Sequence, residues 1–348
     1  MVSHGLRHFV VFLFVVFFVF FFALNYQSEN SDNNLHQRAL RVFTLSSFSM
    51  QSGPGPRLAQ IFEKDCHCRV EFIEASDSSI LLQRLKIEGE SLGADLVIGL
   101  NSYDISRASS EIHWKKHGLE SSSLLNEVRT ALVNEYFYPL SWNVYTFIAN
   151  QELEVSNIQS FQDLLSLSLR KKIGIEDPRT SFRGLGLLVW ISKAMGIEDM
   201  NTYLENFMPQ ISDIYSSTSL LEKDFLENKS KIVFSLLTSP LLKKSDTLTS
   251  MGKVLNLNQP HPVVFEFLGV PEFCENCELS QKFSNLILSE QGQRILLDQQ
   301  DRLSILKGLN GEEIETKIED LNLSKDVNFI SDRKIESWLK KWTDLRRM

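Results

Sequence analysis

Apolar residues open the chain as one unbroken run and then settle into two shorter rhythms. Phe9 to Leu24, FVVFLFVVFFVFFFAL, carries no charge and follows His4, Arg7 and His8. As a helix it is ~24 Å long at ~1.5 Å per residue, short of a ~30 Å hydrocarbon core. Length and the basic flank favour a secretory signal. A retained membrane anchor is the alternative, because Ala23 is the sole small residue where a cleavage site belongs. Residues 1–24 are therefore a signal or an anchor, and the rest is expected to be exported. Residues 25–39, which include NYQSENSDNNLHQ, are polar and form a linker.

From Arg41 onward strand-like and helix-like stretches alternate. RVFTL (41–45) predicts a strand, Gly53-Pro54-Gly55-Pro56 a loop, RLAQIFEKD a helix and RVEFIEA (69–75) a strand. Leu81, Leu82 and Leu85 mark the buried face of the next helix, with Arg84, Lys86 and Glu88 outside. ADLVIGL (94–100) is continuously apolar, as a buried parallel strand should be. This β-α-β-α-β order predicts an open parallel sheet with helices on both faces.

A second round follows. WNVYTFIAN (142–150) is a strand long enough to pass from one lobe to another. Ser160 caps a predicted helix in SFQDLLSLSL, and KKIGIED (171–177) predicts a strand. Helices at 184–195 and 198–207, strand QISDIY, helix SLLEKDFLEN and strand KIVFSLL (231–237) come next. VVFEFLG (263–269) returns to the first lobe, before a helix around Phe283, Leu286 and Ile287. In the last helix Ile335, Trp338, Leu339 and Trp342 share one face and dock on a lobe. Trp190 and Phe207 are expected in the core.

At 348 residues the chain is long for one core, which favours two lobes. A net charge of −8 without a Lys/Arg cluster argues against a nucleic-acid partner. The cysteines form two local pairs, Cys66 and Cys68 in DCHC, Cys274 and Cys277 in FCENC. Export favours structural disulfides within or across these pairs. A four-thiolate zinc site and a redox-active CxxC are the competing readings. His67, His113, His117 and His261 show no metal spacing and are read as surface residues. No GxSxG or HExxH is present, so nothing points to a hydrolase.

In a two-lobed α/β chain, ligands sit at the carboxyl ends of strands near helix N-termini. That singles out the loops after RVFTL, RVEFIEA and KKIGIE. The last is IEDPRTSFRGLG (175–186), whose hydroxyls, proline and glycines precede an apolar helix. It serves as a helix cap, and its amides and Ser181 are expected to face the cleft. Asp77 has the same capping alternative, and Thr238-Ser239-Pro240 that of a strand-to-helix turn with proline at the first helical position.

GPGPRLAQIFEKDCHCRVEF, LLQRLKIEGESLGADLVIGL, EDPRTSFRGLGLLVWISKAMG and the TSP at 238–240 together resemble the family of thiamine-binding periplasmic proteins, over roughly residues 40 to 300. The resemblance implies a two-lobe α/β type II periplasmic-binding fold, with open mixed or parallel sheets, helices on both faces and a ligand cleft between the lobes. It places residues 40–141 plus 263–348 in lobe 1 and 142–262 in lobe 2. It implies a receptor for thiamine or a thiamine phosphate, partnered by an ABC permease and its ATPase, monomeric, without cofactor, metal or enzymatic activity. A membrane-anchored sensor of the same fold and a thiamine-precursor-processing enzyme using a cysteine are the alternatives.

The family's ligand positions fall on Asp77 and Ser78, on Ser181 and Phe182, and on Thr218. They also fall on Leu236 through Leu237, Thr238, Ser239 and Pro240. Leu45 and Ser46 stand where the family has an aromatic and an acid, and Arg302 where it has a late tryptophan. The stacking aromatics are thus largely replaced, which puts Phe182, Phe48 or Trp142 forward as substitutes. Asp77 would offset a cationic ligand. Arg302 would oppose a cation, or meet a phosphate or carboxylate.

Overall fold

The longest strand organises the molecule. In the computed structural model, residues 39–347 are described apart from 120–123, 130, 133–134, 197–198, 243–250, 299–301 and 325–329. The proposed signal or anchor and most of the linker lie outside the described residues. The first half begins with strand β1 (Ala39–Leu45), helix α1 (Pro54–Cys66), β2 (Arg69–Ala75), α2 (Ser78–Glu88), β3 (Leu96–Asn101) and α3 (Ile105–Glu111). Then comes β4 (Phe137–Asn150), 14 residues long and buried throughout except at Asn150.

The second half contains β5 (Ile173–Glu176), α4 (Phe182–Met195), α5 (Met200–Phe207) and β6 (Ile211–Tyr215). It continues with α6 (Thr218–Leu226), β7 (Ile232–Leu236) and β8 (Gly252–Leu255). The chain returns along β9 (Val263–Pro271) and ends in α7 (Cys277–Leu288), α8 (Glu290–Leu297), α9 (Glu312–Glu319) and α10 (Asp332–Leu345).

The strands lie in the order β2-β1-β3-β9-β4-β7-β5-β6, with β8 added beside β4. β1 pairs in parallel with β2 and β3, and β5 pairs in parallel with β6 and β7. The expected parallel units are therefore present in each half, but β9 and β4 join them in antiparallel fashion. Along β4 the partner changes in mid-strand. Phe137 to Val144 face β9, whereas Tyr145 to Ala149 face β7. One continuous strand thus belongs to both halves, and each half keeps the carboxyl ends of its parallel strands for loops and helix starts.

Three expectations needed adjustment. Gly53-Pro54-Gly55-Pro56 is not a loop before α1: Pro54 to Pro56 form its first turn, where a missing amide costs nothing. SFQDLLSLSL makes two 3₁₀ turns, Asp163–Leu165 and Leu167–Leu169, instead of an α-helix. Ser160 donates to Asp163 Oδ2 at 2.7 Å, a local bond that competes with helix formation. His261 is buried, not on the surface. Its Nδ1 lies 2.9 Å from the Tyr145 carbonyl and its ring 4.7 Å from that of Trp190.

One apolar cluster covers β1 to β3 and continues through Tyr215, Leu221, Phe225 and Val233 onto one face of the second half. The other fills the opposite face around Phe147, Phe161, Trp190 and Phe207. Trp338 and Trp342 of α10 enter this second cluster, so the carboxyl-terminal helix packs with Phe147, Phe161, Trp190 and Phe207. The cysteines pair locally, Cys66 with Cys68 and Cys274 with Cys277. Neither cross-pairing nor a four-thiolate zinc site remains open to them.

Candidate functional site

β5 ends on Glu176, and the chain must then turn and start α4. Asp177 makes the turn: its carbonyl accepts from the amides of Thr180 (3.1 Å) and Ser181 (2.9 Å). Ser181 caps the helix, its Oγ accepting from Arg183 N (3.1 Å) and Gly184 N (3.4 Å). The glycines of the motif serve close approach. A Cβ on Gly184 would stand 2.4 Å from the Glu176 carbonyl oxygen, and one on Gly186 2.5 Å from Cζ of Tyr145. The amides expected to face a ligand are thus consumed within the loop. Among the described residues, Phe182 alone of this segment's non-proline residues keeps an amide without a hydrogen-bond partner.

The Asp177 carboxylate is equally committed, to Arg179 Nη2 at 2.6 Å and to Arg346 Nη1 at 2.8 Å. Burial pushes this carboxyl up. The hydrogen bonds and charge of Arg179, with the charge of Arg346, more than offset that and leave it below the usual range. Arg346 follows α10, so the end of the chain pins the motif loop.

Behind the cap lies a buried carboxylate, Glu176, 3% exposed. It accepts from the hydroxyl of Ser181 and, at 2.8 Å, from that of Thr218. Thr218 Oγ1 in turn accepts from Arg183 Nη1 at 2.8 Å. A buried acid is tolerable when such donors surround it. Ser181 and Thr218, expected as ligand contacts, are therefore internally satisfied. The Arg183 guanidinium also lies 4.8 Å from the centre of the Phe182 ring, within cation–π range. Phe182 is 37% exposed, whereas Phe48 and Trp142 are buried at 0% and 2%. Of the three substitute aromatics, the structure leaves Phe182 alone accessible.

The first half presents its counterpart at the end of β2. Asp77 caps α2, its Oδ1 accepting from Ser79 N (2.8 Å) and Ile80 N (2.9 Å). The residue is exposed, and Oδ2 makes no hydrogen bond among the described residues. Ser78 Oγ accepts from Asn101 Nδ2 at 2.8 Å and contacts Asp104. Asp104 is 6% exposed, and burial pushes its carboxyl above the usual range against the Asn101 amide, the Ser78 hydroxyl and Arg107. The segment Asn101–Asp104 was not singled out from the sequence. Its signal was available, since it stands at the carboxyl end of ADLVIGL as the other loops stand at the ends of theirs.

The remaining positions hold the crossing together. Thr238 Oγ1 accepts from Asn143 Nδ2 of β4 at 2.7 Å, and Ser239 Oγ donates to Glu222 at 3.0 Å. Pro240 opens the 3₁₀ turn Pro240–Leu242. Leu236 and Leu237 are 2% and 0% exposed, so their side chains belong to the core and not to a ligand surface. Arg302 is not free for a phosphate: Glu266 holds it through two bonds of 2.7 and 3.1 Å, and Ser141 adds a third to the same carboxylate at 2.9 Å. All four cysteines are in disulfides. Among the described residues no group of three or more His, Cys, Asp or Glu is placed to hold a metal ion.

No family model matches the chain. It is 28% identical to the thiamine-binding periplasmic protein of Escherichia coli over 250 residues, 72% of this chain and 76% of that one. Among solved structures, a periplasmic thiamin binding protein superposes with a TM-score of 0.70 at 24% identity, covering 88% of this chain and 96% of that one. The ferric binding protein from Campylobacter jejuni reaches the same TM-score at 14% identity, covering 88% and 99%. These likenesses give the fold, the two-lobed α/β fold of type II periplasmic binding proteins.

Proposed function

We propose that the chain is an extracytoplasmic solute-binding receptor that takes thiamine or a thiamine phosphate in the cleft between its halves. It then hands the ligand to a membrane permease driven by an ATPase. The observation that carries this reading is the likeness to a protein named for thiamine binding, which extends through both halves and the strand between them. Residues 1–24 would direct export or tether the chain outside the membrane, and the receptor would act as a periplasmic monomer. In the division we favour, residues 40–141 and 263 to about 324 form lobe 1. Residues 142–262 form lobe 2, and α10 is strapped to it.

The site residues take separate roles in this proposal. Asp77 supplies the counter-charge, since one carboxylate oxygen remains open after capping α2. Phe182 supplies an apolar ring edge. Ser181 and Thr218 fix the ring's backbone through Glu176, and Ser78 fixes the loop at Asn101–Asp104. Thr238 and Ser239 hold the crossing, with Leu236, Leu237 and Pro240 packing behind them. Titration calorimetry with thiamine, its monophosphate and its diphosphate tests the proposal, with mass spectrometry of ligand released from purified protein. Micromolar or tighter binding of one of the three is expected. No heat with any of them and no thiamine-like molecule in the extract would overturn the specificity.

A further inference from the structure

The strand ends of the two halves point at one another across the middle of β4. β3 runs in the same direction as β4, since both are antiparallel to β9, and its last residue, Asn101, lies opposite Glu266, itself opposite Ser141. β7 runs against β4, and its last residue, Leu236, lies opposite Tyr145. From Ser141 to Tyr145 the two ends are ~14 Å apart along β4, at ~3.4 Å per residue. β1 and β2 are parallel to β3, and β5 and β6 to β7, so their loops face the same gap. Four of these loops each expose one large apolar side chain. Met50 follows β1, Ile80 lies in the first turn of α2, Phe182 opens α4 and Leu220 lies in the first turn of α6. They are four of the eight large apolar side chains exposed among the described residues, so apolar exposure concentrates at the strand ends.

The elements that would hold an oxyanion are occupied from within. A helix start binds anions through its free amides. α1 begins Pro54-Gly55-Pro56, so two of its first three residues have no amide hydrogen. Asp77 takes the Ser79 and Ile80 amides of α2, Ser181 those of Arg183 and Gly184, and Ser217 that of Leu220 in α6. At α2 the protein's own carboxylate holds the place of an anion. The guanidinium groups of these strand ends are committed as well. Arg179 pairs with Asp177, Arg302 with Glu266 and Arg107 with Asp104, while Arg183 reaches Glu176 through Thr218. We infer that the cleft selects a flat organic cation without an oxyanion, so that unphosphorylated thiamine is preferred to its phosphate esters, and that Asp77 sets this preference. The open oxygen of Asp77 attracts a cationic ring and repels a phosphate. No unpaired guanidinium among the described residues of the strand ends offsets that repulsion. The identity of the cation rests on the receptor reading; the exclusion of phosphate does not.

Competition calorimetry on the wild-type protein compares thiamine with its monophosphate and diphosphate. Thiamine is expected to bind about tenfold tighter than either ester, from one repelled charge and one phosphate without a charged partner. Asp77→Asn keeps the helix cap and should narrow that gap about threefold, weakening thiamine and leaving the monophosphate no weaker. Equal or tighter binding of an ester, or a gap as wide in Asp77→Asn as in wild type, would overturn the inference while the receptor proposal stands. Inorganic phosphate, titrated into the isotope-labelled, ligand-free protein, tests the exclusion without thiamine. The Ser78 and Phe182 amides are the reporters, because they stand first in α2 and α4 and the helix caps do not use them. Neither resonance should show a saturating shift up to about 10 mM phosphate, and saturation below that concentration would overturn the exclusion. Wild-type protein that binds none of the three thiamine forms counts against the receptor proposal, and the phosphate titration still decides the exclusion.

Discussion

The loops following β2 and β5 look alike in sequence and behave differently in the fold. Each lies at the carboxyl end of a parallel strand, and each ends in a side-chain cap on a helix. Asp77 caps α2 with one carboxylate oxygen and leaves the other toward solvent. Ser181 caps α4 but also donates to Glu176, so nothing of its hydroxyl remains for a ligand. The difference originates in the last residue of each strand. β2 ends on Ala75, which asks nothing of its surroundings, and β5 ends on Glu176, a buried carboxylate that must be satisfied. A polar loop at a strand end is available to ligand only when no buried group behind it claims its donors.

Removing the cation from the second loop should break the comparison most severely. Arg183 reaches Glu176 through Thr218, and both charged residues are buried. Arg183→Met is expected to cost about 3–5 kcal/mol, because it leaves a buried carboxylate without its compensating network. Adding Glu176→Gln should return a large part of that loss. Chemical denaturation checks both variants, and additive losses in the double variant would show that the two residues are not coupled.

Acid should separate the two halves. Burial lowers the His261 imidazole to about 4, with only partial relief from its hydrogen bond to the Tyr145 carbonyl. Below the ordinary value of 6.5 the unfolded chain takes up a proton that the folded chain refuses. Stability is therefore lost as pH falls from 6.5 toward 4, by on the order of 3 kcal/mol. Asp104 in the first half acts in the opposite sense. Its carboxyl is raised, so the cost of burying the charge disappears as pH drops through its folded value. Unfolding curves between pH 7 and pH 4 should lose stability in wild type and lose less in His261→Gln. Identical pH slopes for the two proteins would contradict the assignment.

A smaller loss is expected from Ser181→Ala, about 1–2 kcal/mol. Capping accounts for roughly 1 kcal/mol and the donor withdrawn from Glu176 for the rest. Ser181→Thr keeps the hydroxyl and should recover most of it. Thermal melts of the pair decide whether the cap or mere side-chain volume matters.

Much of this architecture was legible because it depends on local pattern. Leu81, Leu82 and Leu85 face the core as their spacing requires, and the β-α-β order of the first half gave its parallel strands. The antiparallel joint between β9 and β4 was not legible, since nothing local records which strand a long strand meets in its second half. The same limit applied to the site. Asp77 and Ser181 carry clear capping signatures, whereas the claim of Glu176 on Ser181 and Thr218 spans 42 residues of sequence. His261 was misread for a related reason. Its burial comes from the return of the chain past Tyr145 and Trp190, and a lone histidine before a proline carries no trace of that. Arg302 likewise found Glu266 through tertiary contact, 36 residues away.

The least disruptive change sharpens the comparison from the first loop. Asp77→Asn keeps an oxygen that can accept from Ser79 and Ile80, and asparagine is as good a cap as aspartate. Folding stability should move by only a few tenths of a kcal/mol, because the lost charge is exposed. What changes is the open oxygen, which loses its negative charge. A cationic ligand should then bind about three- to fivefold more weakly, the effect of one solvent-screened charge pair, and the loss should shrink as salt is raised. Calorimetry with thiamine at low and high ionic strength reads both. If affinity falls as far in Ser181→Thr as in Asp77→Asn, the two loops are equivalent toward ligand, and the contrast between a free cap and a claimed one does not govern binding.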